Sequence, residues 1–322
     1  MRSMIEEPLR RATEAIGAAT SLAISCHVSP DGDALGSALA LGHAARAAGK
    51  EAVVSFGGPF VVPESLSFLD TSLLMPTEAF PSAPEVMVVF DVGSADRLGE
   101  LRVAAENAGT LVVVDHHVTN DGFGDIQVID SRAAASAQLC TYLLESLGWP
   151  IDETIATCLL TGIVTDTGRF QYSATDGEVM RVAARLLDAG VRPDTIGQAI
   201  YESVPFGYLQ ASSAVLGRAV LEEPLSLVWS YVTHGDLKSA SVTYEDLDGL
   251  IDDLRIAKEA GVAVLLKEVD QGWRASLRSR GAIDVGSIAV LHGGGGHHNA
   301  AGFTASGSRD DVIESIRARL RA

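Results

Sequence analysis

Three consecutive residues, Asp115, His116 and His117, have side chains that can bind a metal ion or act as acid and base. They directly follow the apolar run 111–114, which has the composition of a fully buried strand. Buried charged groups are costly unless they are paired, so these side chains should lie where the strand leaves the core. Ligands of open α/β sheets bind outside the carboxyl ends of the strands. A surface loop is the alternative interpretation of these three residues taken alone.

Two other predicted strands end in similar side chains. His27, Asp31 and Asp33 follow the first predicted strand, and Asp91 follows the third. Because parallel strands present their carboxyl ends at one edge of a sheet, we expect these groups to converge. Carboxylates brought so close repel one another, and divalent cations relieve that repulsion. Oxygen and imidazole ligands without thiolates suit Mn²⁺, Mg²⁺ or Zn²⁺, and the number of ligands favours two ions.

Two of the acidic residues have structural alternatives. Asp33 could cap the helix that is predicted to start near Leu35. Asp166 follows the nearly all-apolar helical stretch 154–164, where an acid is unusual because Asp favours the first turn of a helix. A metal ion or a strong hydrogen-bond partner would explain Asp166, and a simple Asp-Thr-Gly turn is the alternative.

The surrounding pattern predicts an α/β domain at 1–190 and a smaller α+β domain at 211–322, joined by a helical linker at 191–210. In the first domain, short apolar runs alternate with helical spacing, which favours βαβ units and a mostly parallel sheet with flanking helices. The strands predicted there are 21–25, 52–56, 86–90, 111–114 and 126–129. Those predicted in the second domain are 226–232, 262–269 and 273–280.

The segment 292–302 near the C-terminus reads HGGGGHHNAAG. Successive glycines let the backbone approach a ligand closely and offer N–H groups to an anion, and His297 follows them directly. Upstream, Arg278 and Arg280 would share one face of a strand, and arginine suits bidentate contact with phosphate. A flexible loop and an exposed basic strand face are the structural alternatives.

Composition limits the classes of partner. The chain has 322 residues and a net charge of −18, which argues against a long footprint on duplex nucleic acid but not against a small phosphorylated substrate. Its three cysteines form no CxxC pair, which fits a reducing cytoplasm. The N-terminus lacks the apolar core of a signal peptide, and no run of 18 apolar residues predicts a membrane span. We therefore expect a cytoplasmic protein.

Taken together, these motifs resemble the DHH/DHHA1 phosphoesterase family. The motifs follow the family's order, cover nearly the whole chain and are highly specific in combination. They are His27-x-x-x-Asp31-x-Asp33, Asp91, Asp115-His116-His117, Asp166 and GGGGHxxAAG at 293–302. The bare two-domain chain is most similar to the NrnA type, which implies degradation of very short RNA and hydrolysis of 3′-phosphoadenosine 5′-phosphate (pAp). We expect the active site in the cleft between the two domains.

The resemblance implies two divalent ions, with Mn²⁺ as the expected metal and Asp91 as the bridging ligand. One ion would be held by Asp91 together with His27 and Asp31. The other would be held by Asp91 together with Asp33, His116 and Asp166.

The resemblance also implies roles around the substrate. His117 would face the scissile phosphate, and it is a candidate to polarise that phosphate or to protonate the leaving oxygen. Asp115 would orient an imidazole from behind. The residues of the second domain that would bind the substrate's phosphate are Arg278, Ser279, Arg280, Gly294, Gly295, Gly296 and His297.

We therefore predict a two-metal phosphoesterase that acts on short oligoribonucleotides, on linear dinucleotides such as pApA, or on pAp. A cyclic di-AMP phosphodiesterase is the alternative. A non-catalytic nucleotide sensor would lack metal ligands, and a nicotinamide oxidoreductase would need GxGxxG where this chain reads HVSPDGDALGS. Phe170, Tyr172 and Tyr201 are candidates to stack a base, with a place in the core as the favoured alternative. A homodimer is compatible with this type of fold.

Overall fold

A computed structural model describes residues 2–321, without the side chains of residues 2–4 and His297. The chain forms two compact units, of which the first ends at Ser203 and the second begins at Val204. This division falls inside 191–210, the range predicted as a linker. The side chain of His297, predicted to bind phosphate, lies outside the described part of the chain.

The first unit is built on a five-stranded sheet with the order β2-β1-β3-β4-β5, in which all neighbouring strands are parallel. Its strands are β1 (Ser21–Cys26), β2 (Glu51–Phe56), β3 (Val86–Phe90), β4 (Thr110–Asp115) and β5 (Ile126–Ile129). Nearly every residue of β1, β3 and β4 is buried, as expected of parallel strands covered on both faces. The predicted parallel α/β sheet is confirmed.

Seven α-helices accompany this sheet among the described residues. They are α1 (Arg2–Ala18), α2 (Gly32–Ala47), α3 (Arg102–Glu106), α4 (Ser136–Leu147), α5 (Glu153–Asp166), α6 (Gly177–Asp188) and α7 (Pro193–Tyr201). Helices α2, α4 and α5 pack on one another and bury mostly small and aliphatic side chains. They form a dense layer, and the N-termini of α2 and α4 and the C-terminus of α5 approach the same end of the sheet.

The second unit is an α+β fold around a six-stranded mixed sheet with the order β10-β11-β9-β8-β7-β6. Its strands are β6 (Val220–Glu222), β7 (Leu227–Val232), β8 (Val262–Val269), β9 (Gly272–Ser279), β10 (Gly295–His297) and β11 (Ala300–Ser306). Its helices are α8 (Phe206–Gly217), α9 (His234–Ala240), α10 (Leu250–Arg255), α11 (Val285–Leu291) and α12 (Arg309–Leu320). Only β7 and β8 pair in parallel. Within residues 2–321, none of the helices has the length and apolar character that a membrane span requires.

Two glycines set the close approach of α2 and α5. A Cβ atom on Gly36 would lie 2.4 Å from the backbone oxygen of Cys158, and one on Gly162 would lie 2.6 Å from Oδ1 of Asp33. Real Cβ atoms do not come so near, because packed interiors leave no room for an added methyl group. The pair of helices can therefore bring Asp33 and Asp166 to one place only because these two positions carry no side chain.

Replacing Gly36 by alanine should force α2 away from α5. We expect Gly36→Ala to lower the free energy of unfolding by about 1–3 kcal/mol, the usual cost of overpacking a core. The matched control is Gly197→Ala in α7, where nothing lies within 4 Å of the added Cβ. Alanine there should leave stability unchanged or raise it by up to about 1 kcal/mol. Urea denaturation measures both variants, and equal stabilities would contradict the role of Gly36.

Candidate metal centre

The predicted metal ligands lie together at the carboxyl edge of the first sheet. The adjacent strands β1, β3 and β4 each lead into one or more of them. Helices α2 and α5 add Asp33 from a first turn and Asp166 from a last turn. The donor atoms form three groups whose members lie within 4.8 Å of one another. These groups are His27, Asp31 and Asp91; Asp33, His116 and Asp166; and Asp91, His116 and His117.

Asp91 belongs to two of these three groups. Its Oδ2 is 3.5 Å from Nε2 of His27, while its Oδ1 is 3.5 Å from Nε2 of His116 and 3.5 Å from Nδ1 of His117. The backbone of Asp91 has a φ of 60°, in the left-handed region that residues other than glycine seldom adopt. Strained backbone of this kind persists where the surrounding structure enforces it, and it is common at functional sites. The distances from its two carboxylate oxygens show that these oxygens face two different sets of potential ligands.

The first set contains His27 and Asp31. Nδ1 of His27 lies 2.8 Å from the carbonyl oxygen of Val28, which can only accept, so Nδ1 carries the proton. Nε2 is then left to face Oδ2 of Asp31 at 3.6 Å. The other oxygen of Asp31 accepts hydrogen bonds from the backbone N–H groups of Asp33 and Ala34, so Asp31 is the N-cap of α2. The capping role considered for Asp33 thus belongs to Asp31.

The second set surrounds His116. Its Nε2 lies 3.0 Å from Oδ2 of Asp166 and 4.0 Å from Oδ2 of Asp33. Its Nδ1 lies 3.2 Å from the carbonyl oxygen of Ala133, which fixes the tautomer in the same way as at His27. Asp166, at the end of its helix, therefore has an imidazole as its side-chain partner, which is the first of the two alternatives considered for it.

Asp115 orients His117, not His116. Oδ1 of Asp115 lies 2.7 Å from Nδ1 of His117, and Oδ2 accepts a hydrogen bond of 2.6 Å from the side-chain amide of Asn120. The same amide donates to the carbonyl oxygen of Val92 at 3.1 Å, which ties this loop to the end of β3. Asn120 was not predicted as a site residue, because an asparagine in a polar loop carries no signal of its own.

Burial and like charge shift the pKa values of this cluster. Burial lowers the pKa of His27, but hydrogen bonds and charges of neighbouring carboxylates raise it to about 10 overall. Burial raises the pKa of Asp166 to about 6, against the lowering effect of His116. Burial also raises the pKa of Asp33 well above its usual range, and the charge of Asp166 adds to the shift. These directions describe a site with more buried negative charge than its imidazoles balance.

The ligand set fits divalent metal ions. Carboxylate oxygens and imidazole nitrogens without thiolates suit Mn²⁺, Mg²⁺ or Zn²⁺. Such ions take ligands at about 2.0–2.2 Å, so two ligands of one ion lie roughly 3–4 Å apart. The separations from His27 to Asp31 and from His116 to Asp166, 3.6 and 3.0 Å, are of this size. A bound cation would compete with protons for these groups.

The two predicted phosphate-binding arginines of the second unit both contact α10. Arg280, directly after β9, donates two hydrogen bonds of 3.1 and 2.8 Å to the carbonyl oxygen of Arg255 at the C-terminal end of that helix. Arg278 lies with Nε 3.9 Å from Oδ1 of Asp252, beyond the range of a hydrogen bond. The side chain of Arg280 is thus committed to the helix end, whereas Arg278 donates one hydrogen bond, from Nη1 to the carbonyl oxygen of Leu277 at 3.2 Å.

The buried hydroxyl of Ser279 also holds a loop in place. It donates to Oδ1 of Asn299 at 3.1 Å and accepts from the N–H group of Gly281 at 3.1 Å. The backbone of the same two residues adds a bond of 2.9 Å from the Ser279 N–H group to the Asn299 carbonyl. Ser279 therefore fixes the start of β11, next to the predicted phosphate-binding segment.

The last two residues of the glycine run, Gly295 and Gly296, belong to the short strand β10, which pairs with β11. A Cβ atom on Gly294 would lie 2.2 Å from the oxygen of Gly302, and one on Gly296 would lie 2.5 Å from the oxygen of Ala300. Nothing lies within 4 Å of the corresponding position on Gly295. Gly294 and Gly296 are therefore required by strand packing, whereas an added Cβ atom would enter open space at Gly295 and also at Gly293, which lies before the strand.

The three aromatic candidates for base stacking have structural contacts. Phe170 packs against the core of the first unit. The ring of Tyr172 covers Gly168, where a Cβ atom would meet it at 2.3 Å. The guanidinium carbon of Arg169 lies 4.6 Å from the ring centre of Tyr201.

Two known domain families match this chain, one in each structural unit. Residues 21–163 match the DHH family, N-terminal domain, and residues 226–322 match the DHHA1 domain. The bifunctional oligoribonuclease and PAP phosphatase NrnA of Thermus thermophilus is 34% identical over 305 residues, which are 92% of this chain and 89% of that protein. The protein of the same description from Bacillus subtilis is 25% identical over 280 residues, 86% of each.

A solved structure shares the fold. The crystal structure of an exopolyphosphatase-related protein from Bacteroides fragilis matches with a TM-score of 0.91 at 23% identity. The match covers 98% of this chain and 96% of that one. At this level of identity, the structural similarity supports the fold of the chain and gives no information about its substrate.

Proposed function

The chain belongs to the DHH family, and we propose that it is a phosphoesterase that uses two divalent metal ions to hydrolyse short oligoribonucleotides and pAp. The observation that carries the proposal is the position of Asp91, whose two oxygens face two separate sets of ligands. A carboxylate shared between two ions is the arrangement suited to in-line displacement at phosphorus. The substrates are suggested by the relatives from Thermus thermophilus and Bacillus subtilis, whose names describe an oligoribonuclease and PAP phosphatase.

Six residues would hold the ions, and Mn²⁺ is the metal we propose. Bound divalent ions lower the pKa of water and stabilise negative charge on phosphoryl oxygens. The residues of the first ion would be His27, Asp31 and Asp91. The residues of the second ion would be Asp33, Asp91, His116 and Asp166.

His117 is proposed to give a proton to the leaving oxygen. Burial lowers the pKa of His117, but the hydrogen bond from its ring to Asp115 and the charge of Asp91 raise it overall. Asp115 holds Nδ1, so the proton available to a substrate is the one on Nε2. Asn120 donates a hydrogen bond to the second oxygen of Asp115 and so keeps the Asp115 carboxylate oriented toward His117.

In the second unit, we propose that Arg278 and the backbone at Gly295 bind a phosphate of the substrate, together with His297. Arg278 is only partly exposed and carries a guanidinium suited to paired oxygens. Arg280 and Ser279 would act indirectly, since their side chains hold α10 and the start of β11. Of the seven residues for which the family resemblance implies phosphate binding, we thus propose that Arg278, Gly295 and His297 contact the phosphate and that the other four support the surrounding structure.

Product analysis tests the proposed function. The purified chain with Mn²⁺ should release mononucleotides from pApA and from a five-residue RNA, and AMP from pAp, and EDTA should abolish each reaction. Cyclic di-AMP is offered in parallel as the substrate of the alternative activity. Failure to cleave any of the four substrates by a chain that binds Mn²⁺ would contradict the proposal and favour a nucleotide sensor.

Asp91→Asn should remove both metal binding and turnover, because the amide nitrogen cannot serve as the second bridging oxygen. We expect kcat to fall by more than about 100-fold, the upper range for changes just outside a ligand set. The control is Asp121→Asn, an exposed residue whose Oδ1 accepts a backbone hydrogen bond from Phe123. Calorimetric titration with Mn²⁺ and single-substrate kinetics compare the two. Normal turnover by Asp91→Asn with two bound ions would refute the assignment of Asp91.

Gly295→Ala should weaken substrate binding without weakening the fold, since its Cβ enters open space. We expect KM for pApA to rise by about 10-fold, which corresponds to about 1.4 kcal/mol, with an unchanged melting temperature. Gly294→Ala should instead lower the melting temperature, because its Cβ meets the backbone of β11. Unchanged KM in Gly295→Ala would mean that substrate does not approach this glycine.

A further inference from the structure

The first turn of α4 contacts two of the proposed metal ligands, and nothing in the sequence analysis assigned it to the site. The N–H groups of Ser136 and Ala137 donate to the two oxygens of Asp33 at 2.6 and 2.8 Å. The hydroxyl of Ser136 donates to Oδ1 of Asp91 at 3.0 Å. Ser136 and Asp33 are fully buried, and Asp91 is 4% exposed. A single residue therefore reaches one ligand through its backbone and another through its side chain.

This turn lacks a cap from its own segment. The N-cap position of α4 is Ala135, which has no side chain that could accept the free N–H groups of the helix. The carboxylate of Asp33, about one hundred residues earlier in the chain, takes that place. The start of α4 and the position of Asp33 thus depend on each other.

The same segment also supports a third ligand. The carbonyl oxygen of Ala133 accepts from Nδ1 of His116 at 3.2 Å. The neighbouring N–H group of Ala134 is held by Oε1 of Gln138 at 2.8 Å. The chain from β5 into α4 therefore touches one proposed ligand from each of three elements, namely Asp33 of α2, Asp91 after β3 and His116 after β4.

Asp91 is the ligand for which such support matters most. Its Oδ1 lies 3.5 Å from the nearest nitrogens of His116 and His117, farther than a hydrogen bond of normal length. The hydroxyl of Ser136, at 3.0 Å, lies within hydrogen-bond range of the same oxygen. A hydrogen bond to one oxygen fixes the rotation of the whole carboxylate, so that Oδ2 stays turned toward His27.

We propose that Ser136 is a positioning residue that holds the bridging carboxylate of Asp91 in the orientation that binds both metal ions. The inference rests on the proposed two-metal function and extends it to a residue outside the ligand set. Ser136 itself touches neither metal nor substrate in this scheme. Its effect should therefore appear in metal affinity first, and in turnover only through the loss of bound metal.

The experiment compares Ser136→Ala with Thr141→Val in the full-length chain. Ser136→Ala removes the hydroxyl and leaves both backbone bonds to Asp33. Thr141 is fully buried in the same helix, and its hydroxyl donates to the carbonyl oxygen of Ala137 at 2.8 Å. Thr141→Val therefore removes a comparable hydroxyl from α4 without taking a partner from Asp91. Melting of the metal-free proteins shows how much each change costs the fold.

Three measurements follow on each protein: Mn²⁺ affinity and stoichiometry by calorimetry, the electron paramagnetic resonance spectrum of the Mn²⁺-loaded protein, and kcat and KM for pApA. For Ser136→Ala we expect Mn²⁺ affinity to fall by about 10–100-fold, in line with changes to the partners of metal ligands. The spectral signature of coupled ions should weaken, kcat should recover at high Mn²⁺, and KM should stay unchanged. Thr141→Val should keep wild-type Mn²⁺ affinity.

Two results would overturn the inference alone: wild-type Mn²⁺ affinity in Ser136→Ala, or an equal loss of affinity in Thr141→Val, which would reveal a general effect on α4. A wild-type chain that binds no Mn²⁺ would instead overturn the proposed function and this inference with it. The wild-type titration therefore separates the two failures.

Discussion

The constraint on which this structure depends is the burial of several carboxylates at one edge of a parallel sheet. Asp33 and Asp91 are nearly inaccessible, and Asp166 lies beside them near the same imidazole. Buried negative charges repel one another and lose hydration, so they persist only where positive charge is supplied. The imidazoles and their protons supply part of it in the metal-free chain. Under the proposed function, divalent cations would offset the remaining repulsion and displace protons from these groups.

Much of the first unit can be understood as the means of enforcing this crowding. The glycines at 36 and 162 let α2 and α5 approach closely enough to bring two acids together. The left-handed backbone of Asp91 turns a strand end into a ligand shared by two groups. The first turn of α4 then binds the acids from behind with N–H groups and a hydroxyl. Local backbone strain and close packing of this kind are typical of functional sites, where the geometry of the site overrides the local conformational preference of the residues.

The main features of the fold, and the convergence of the acidic and imidazole side chains at one sheet edge, could be predicted because they depend on strand ends. Apolar runs that stop at Asp91 or at Asp115 mark where buried strands leave the core, and parallel pairing then brings those ends to one edge. The individual partners could not be predicted in this way. Which acid caps α2, and which imidazole Asp115 holds, depends on side-chain rotamers, and the spacing of residues along the sequence does not specify these.

The supporting residues were out of reach for a different reason. Ser136 is adjacent to Asp33 only because α4 packs against α2, and this contact spans about one hundred residues of chain. In the second unit, the glycine run was compatible with a loop, whereas its last two residues belong to β10, which pairs with β11. Arg280 and Ser279 have the residue types of phosphate ligands, yet their donors are used within the unit. Residue type identifies candidates, and tertiary contact decides which of them remain available.

Anomalous diffraction at the manganese absorption edge can show whether Asp91 lies between two metal ions. Crystals of the full-length chain grown with Mn²⁺ would be measured on both sides of that edge. The proposed bridging position of Asp91 requires two anomalous peaks per chain, about 3.5–4 Å apart, one near each oxygen of its carboxylate. A single peak, or two peaks that do not share Asp91, would contradict it.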